Sequence, residues 1–197
     1  MLRNRLQNVA LLVVTGTVAL GLARSAPVAG QDEADTAAKI EIAMSAAPSS
    51  VSASATILDN ETDAEGNFVV LREGSNGWFC FPDIPGSPGL DPQCLDQTWM
   101  DWLDAYLAGE EPNTTVPGFA YMLQGGSDGS NTDPFATEPS AGEEWVSTPP
   151  HVMLIMPGEL DQTVFSTDHA SGGPYIMWAG TPYEHIMMPV AELEHEG

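Results

Sequence analysis

Apolar and polar positions along the chain repeat at two periods. Residues 151–156 are apolar on both alternating sides, as in a central strand, and 184–190 echo them. Each stretch opens with histidine, places methionine two residues on and reaches a proline. Side chains two apart on a strand share a face, so His151 should point with Met153 and His185 with Met187. Residues 55–58, 68–72, 78–81, 119–124 and 174–179 also read as strands, being rich in β-branched and aromatic residues between turn-forming ones. Glu73 to Gly77, ending in Asn-Gly, predicts a hairpin between 68–72 and 78–81.

The helical period is clearest at Leu95, Trp99, Trp102, Leu103, Tyr106 and Leu107, with Asp96, Asp101 and Asp104 on the other side. Asp91-Pro92 matches an N-cap followed by proline, and Gly109 with Pro112 ends the run, giving a helix over 92–108. Its tryptophans are read as core. A shorter helix is marked by Ala37, Ile40, Met44 and Ala47, capped by Asp35 or Thr36 and stopped by Pro48. Residues 49–54 form a small-residue linker, 59–66 an acidic turn, 82–92 an irregular connection, and 125–149 a polar, proline-punctuated surface loop. These elements predict an α+β fold: a single domain, mainly an antiparallel sheet of about six strands, packed by one amphipathic helix.

The chain begins differently. Arg3 and Arg5 precede an apolar run from Val9 to Leu22, and Val28-Ala29-Gly30 is a cleavage-site pattern before Gln31. Residues 1–30 therefore read as a cleavable signal peptide, 31–54 as an N-terminal helix and linker, and 55–197 as the domain, in the periplasm or secreted. The apolar run is short and interrupted for a membrane span, so no stable membrane insertion is expected after signal removal. In an exported chain Cys80 and Cys94 should form a disulfide. The closed loop of 15 residues contributes about 3 kcal/mol in the chain-entropy picture.

Removing residues 1–30 also removes Arg3, Arg5 and Arg24 and no acid. Lys39 and Arg72 then stand against 28 acids, a formal charge of −26. Such a surface excludes nucleic acid as a partner and favours cations or basic partners. With so many acids present, Arg72 is expected in an internal ion pair.

Candidate chemistry lies mostly in the last third. His151, His169, His185 and His195 all fall there, with Met153, Met156, Met177, Met187 and Met188. Imidazole and thioether together suit a soft metal such as copper, with His151, Met153, His185 and Met187 as its ligands. Zinc through His151, His169, His185 and an acid is a variant. Asp128, Ser130, Asn131 and Asp133 offer oxygens to calcium, away from EF-hand spacing. Gly125-Gly126-Ser127-Asp128-Gly129 matches the G-x-S-x-G of a nucleophile elbow, but the polar stretch after Ser127 does not read as the required helix.

The stretches Leu71-Arg-Glu-Gly-Ser-Asn-Gly-Trp-Phe-Cys-Phe-Pro-Asp83, Tyr121-Met-Leu-Gln-Gly-Gly-Ser-Asp128 with Asn131-Thr-Asp-Pro134, and residues 172–190 resemble a family of uncharacterised exported bacterial proteins. That resemblance implies an exported single domain and no mechanism. The expected function is non-catalytic binding, with a ligand near His151, His185 and the 125–133 loop. The alternatives are a small hydrolase using Ser127 or a metal-activated water, and an envelope protein without a ligand.

Overall fold

The computed structural model describes residues 29–192 and is α+β, with eight strands in one mainly antiparallel sheet. In chain order the elements are α1 (Ala29–Ser45), α2 (Ser49–Ser52), β1 (Thr56–Thr62), β2 (Phe68–Arg72), β3 (Phe79–Phe81), β4 (Gln93–Leu95) and α3 (Gln97–Ala108). Then come β5 (Gly118–Met122), β6 (Gly126–Asp128), β7 (Val146–Thr148), β8 (His151–Ile155), the 3₁₀ turn His169–Ser171, β9 (Tyr175–Met177) and β10 (His185–Pro189). The sheet order is β2-β1-β3-β4-β5-β8-β10-β9, and β6 pairs with β7 as a separate ribbon. The export signal expected over residues 1–30 lies almost wholly outside the described residues, as does His195. Among the described residues no helix is long and apolar enough to cross a membrane.

Period-2 alternation divides the sheet into two apolar faces. Ile57, Cys80 and Cys94 face α1, where Ala43, Ala46 and Ala47 pack against them. On the same side farther along, Ile176 and Ile186 pack with Leu160. The opposite face carries Leu58, Phe81, Leu95, Ala120, Met153, Tyr175 and Met187, covered by Trp99 and Trp102 of α3. Cys80 and Cys94 are register partners on β3 and β4 and are joined by the expected disulfide. That bond fixes the strands beneath α1.

Five local expectations are corrected. No hairpin joins β2 to β3, because β1 lies between them, antiparallel to β2 and parallel to β3. The tighter turn is at Asp63, whose carboxylate accepts from the backbone N–H groups of Glu65 and Asn67. Of the acidic turn expected over 59–66 the second half stands, but β1 takes Asp59 to Thr62 into the sheet because its polar side chains find tertiary partners. Lys39 Nζ donates to Asp59 at 2.6 Å, and Asn60 donates to the Asp83 carbonyl at 2.6 Å. Residues 49–52 form the short helix α2 rather than a linker, and β6–β7 stands inside the stretch expected to be loop. Among the described residues Arg72 makes no ion pair; its guanidinium donates to the carbonyls of Ser52 at 2.8 Å and Ala55 at 3.0 Å, tying α2 to the start of β1.

The largest correction concerns the central helix. Residues 93–95 are drawn into the sheet by the cystine and by pairing with β5, so α3 starts at Gln97 and not at Pro92. Asp96 is its N-cap. One carboxylate oxygen accepts from the Trp99 N–H at 2.9 Å, and the other from the Phe119 N–H of β5 at 2.7 Å. Gly109 closes the helix in the left-handed conformation. A single carboxylate therefore both caps α3 and holds it over the sheet. Asp96→Ala is expected to cost about 2 kcal/mol, since a cap and a second hydrogen bond are lost together. A lowered urea midpoint with an unchanged m-value is the expected readout; an unchanged midpoint would deny Asp96 this role.

Candidate functional site

The face of the sheet under α3 is built in rows. Met122 of β5 lies beside His151 of β8. In the next row come Ala120, Met153, Met187 and Tyr175, successive register partners across β5, β8, β10 and β9. His185 of β10 pairs with Met177 of β9 one row farther on. As the period-2 reading predicts, His151 shares its face with Met153 and His185 with Met187. The two histidines sit at opposite ends of the β8–β10 pair. The offset is about four residues, or ~13 Å at ~3.3 Å per residue, with the Met153–Met187 pair between them.

Above these rows lies a cavity of about 410 Å³. Its floor is His151, His185 and the methionines 122, 153, 177 and 187. Trp99, Trp102 and Tyr106 of α3 form one wall and Trp178 another. Asp91, Ser127 and Asp128 border it on the side of the β6–β7 ribbon, and it reaches solvent past the exposed Ile84 and Leu107. The aromatic walls are mutually ordered. The rings of Trp102, Tyr106 and Trp178 are within 7° of parallel, with centroids 5.5 to 6.3 Å apart. Three indoles, Trp99, Trp102 and Trp178, stand edge-on or nearly so to His185.

Trp178 is held in an unusual conformation, with φ at 56°. A bulky residue in the left-handed region costs about 1–3 kcal/mol, and such residues persist only where their surroundings fix them. Here the loop at 130–131 does so. Trp178 donates its backbone N–H to the Asn131 carbonyl and its indole N–H to the Ser130 carbonyl, both at 2.9 Å.

Both histidines have a defined tautomer. Nδ1 of His151 meets the Pro149 carbonyl at 2.8 Å, and Nδ1 of His185 meets the Tyr183 carbonyl at 3.1 Å. A carbonyl only accepts, so Nδ1 carries the proton and Nε2 keeps a bare lone pair. Burial holds both rings neutral, lowering each pKa to about 4; for His185 the like charge of His151 across the methionine rows adds to the effect. Asp128 moves the other way, pushed by burial up to about 7 despite help from the Ser130 and Gly129 N–H groups. Asp91, nearly fully buried, is also raised by burial; the Ser87 hydroxyl and the Ser127 N–H favour its charged form and Asp83 opposes it.

Four buried side-chain atoms lack a hydrogen-bond partner among the described residues: Asp91 Oδ1, Trp99 Nε1, Asn131 Oδ1 and His151 Nε2. Three of the four belong to residues lining this one cavity. Buried polar atoms are nearly always satisfied by protein or by ordered water, and these three border a single void.

The other anticipated residues lie elsewhere or are already engaged. His169 is on the exposed 3₁₀ turn, edge-on to Tyr175 at 6.4 Å and outside the cavity lining. Among the described residues no three His, Cys, Asp or Glu side chains gather as a metal site. Of the calcium candidates, Asp128 borders the cavity. Ser130 accepts from the N–H groups of Thr132 and Asp133, Asp133 accepts from Phe135, and Asn131 donates to Thr167. Ser127 lies within strand β6 rather than on a strand-to-helix turn, and its hydroxyl donates to the Pro88 carbonyl at 2.8 Å. Asp91 and the tryptophan walls are the site residues that sequence reading assigned elsewhere, to a helix cap and to core.

The fold and the site together define an α+β, cystine-bridged protein with a His/Met-floored, aromatic-walled cavity. Comparison with protein-family models, with curated proteins and with solved structures finds no match for this chain.

Proposed function

We propose that this is an exported, non-catalytic binding protein that takes a small ligand into the cavity over His151. The observation that carries the reading is the convergence of three unpartnered buried polar atoms, Asp91 Oδ1, Trp99 Nε1 and His151 Nε2, on one apolar void. A mostly apolar pocket with a few aimed polar groups is the usual build of a small-molecule site, and 410 Å³ falls in the usual range. A thermal-shift screen of small fragments tests it. Hits should raise the melting temperature of the wild type and lose most of that effect in Leu103→Trp, which fills the void from the partly buried wall of α3. Hits that act equally on both proteins would place binding elsewhere and contradict the reading.

A second reading has its own support. His151 Nε2 is a free imidazole donor beside Met122, with Met153 and Met187 in the next row, a nitrogen and thioether set suited to Cu(I) or Ag(I). The offset between the histidines makes Met122, and not His185, the natural partner of His151. One equivalent of Ag(I) is expected to bind the wild type and to bind at least tenfold more weakly to Met122→Leu, a substitution of similar volume. Equal binding by both proteins, or none by either, would remove this reading.

A further inference from the structure

Among the described residues the acceptors at this cavity have no cation to satisfy them. The described residues contain two Lys or Arg side chains, and both are committed elsewhere. Lys39 pairs with Asp59 at 2.6 Å, and Arg72 serves the carbonyls of Ser52 and Ala55. Yet Asp91 and Asp128 line the same void, Asp91 disfavours the ionisation of Asp128, and neither has a basic neighbour there among the described residues. Beside them His151 presents a lone pair that can only accept.

Two of these groups approach Gly126. A Cβ placed on that glycine would lie 3.6 Å from His151 Cε1 and 3.8 Å from Asp91 Oδ1, with the Met122 methyl nearer at 2.9 Å, so the ring from β8 and the carboxyl from the connection before β4 flank one small space beside the methionine floor. Around that point stand the tryptophan and tyrosine walls, whose π faces and edges favour a cation with an apolar body. The chain's strong negative charge would draw such a molecule in and repel an anion.

Resting on the binding reading above, we propose that the ligand is a small organic cation: a primary ammonium on a ring-sized apolar body. Its N–H groups are shared between Asp91 Oδ1 and His151 Nε2 above Gly126, and its body lies against Trp102 and the methionine floor. An ammonium carries three donors and no acceptor, which matches two unpartnered acceptors and the Asp128 carboxyl at the border. The remaining unpartnered atom, Trp99 Nε1–H, gives an acceptor on the body a place to bond. A carboxylate ligand would set a third negative group beside Asp91 and Asp128. A neutral alcohol has one donor for two acceptors and no charge to relieve the acid pair.

The test is calorimetric titration of the wild type with three probes of nearly equal size: 2-phenylethylammonium, 2-phenylethanol and 3-phenylpropionate. The ammonium is expected to bind at least tenfold more tightly than the alcohol, and the carboxylate not at all. Asp91→Asn, which keeps the shape and the bond from Ser87, should reduce the ammonium's advantage to within about threefold, and His151→Gln should weaken it in part. Equal binding of alcohol and ammonium would overturn the cation assignment while leaving a ligand cavity in place. An advantage unchanged in both variants would place the cation elsewhere and overturn the assignment too. No binding by any probe would count against both the cation and the cavity reading.

Discussion

Replacing Trp102 by alanine is expected to destabilise the protein by about 3–5 kcal/mol, the range for deleting a large buried aromatic side chain. Trp102 is 6% exposed and sits where five rings meet: Trp99 at 5.0 Å, Tyr106 at 5.5 Å, Tyr183 and His185 at 5.9 Å, and Trp178 at 6.3 Å. It links α3 to the loop carrying Trp178 and to β10, so the void left by its loss cannot close without moving two other elements. Because the site already holds a cavity, the new space would merge with it, and relaxation would recover little. Trp102→Phe should retain more than half of the lost stability. Denaturant unfolding checks this; a cost below about 1 kcal/mol would show that the ring is a removable lid and not part of the core.

A second large effect appears in acid. The His151 and His185 rings titrate near 6.5 in an unfolded chain and near 4 when folded. Below pH 6.5 the unfolded chain binds a proton that the native ring refuses. The stability tied to each neutral ring is therefore complete above pH 6.5 and is lost as pH falls towards 4. The loss amounts to about 1.4 kcal/mol per pH unit, or about 3 kcal/mol for each ring. Asp128 works in the opposite sense. Its folded pKa of about 7 lies above the usual 3.8, so its contribution is complete below 3.8 and is lost as pH rises through 7. Asp91, raised in the same direction, adds to that. The wild-type profile between pH 7 and 4 should consequently be shallow, with the two effects offset.

Single variants separate them. Relative to wild type, His151→Gln should gain about 3 kcal/mol on going from pH 7 to 4, and Asp128→Asn should lose ground over the same interval. Urea unfolding of the three proteins across that range measures both differences. Parallel curves for wild type and His151→Gln would contradict a neutral, solvent-free His151.

The sharing of one face by His151, Met153, His185 and Met187 was legible because alternation along a strand depends only on the local backbone. The α+β class and the cystine followed from similarly local signals, apolar periods and two cysteines. What the sequence left hidden was set by competition between signals. Asp91-Pro92 is a sound helix start by itself, and Leu95 falls on the helical period by coincidence. The Cys80–Cys94 bond and the pairing of β4 with β5 outweigh both and move the cap to Asp96. That displacement releases Asp91 to the cavity. In the same way, the Glu73–Gly77 turn composition is real, but the turn at Asp63 pairs β2 with β1, which lies between β2 and β3.

The cavity itself has no sequence period. It is the space left where Trp99 and Trp102 of α3, Trp178 and the methionine rows meet, and only three-dimensional volumes record that. Reading the tryptophans as core was right about their burial, but the same rings also face the void.

The most direct measurement is a ¹³C-methyl spectrum of methionine-labelled protein, taken with the tightest of the three phenyl probes. Four methionines, 122, 153, 177 and 187, floor the cavity, while Met44 lies against the α1 face and Met156 is exposed. The four cavity methyls are expected to shift together and saturate, while those of Met44 and Met156 stay in place. Cavity methyls that do not move, or a Met156 signal that moves as far as theirs, would contradict the cavity reading.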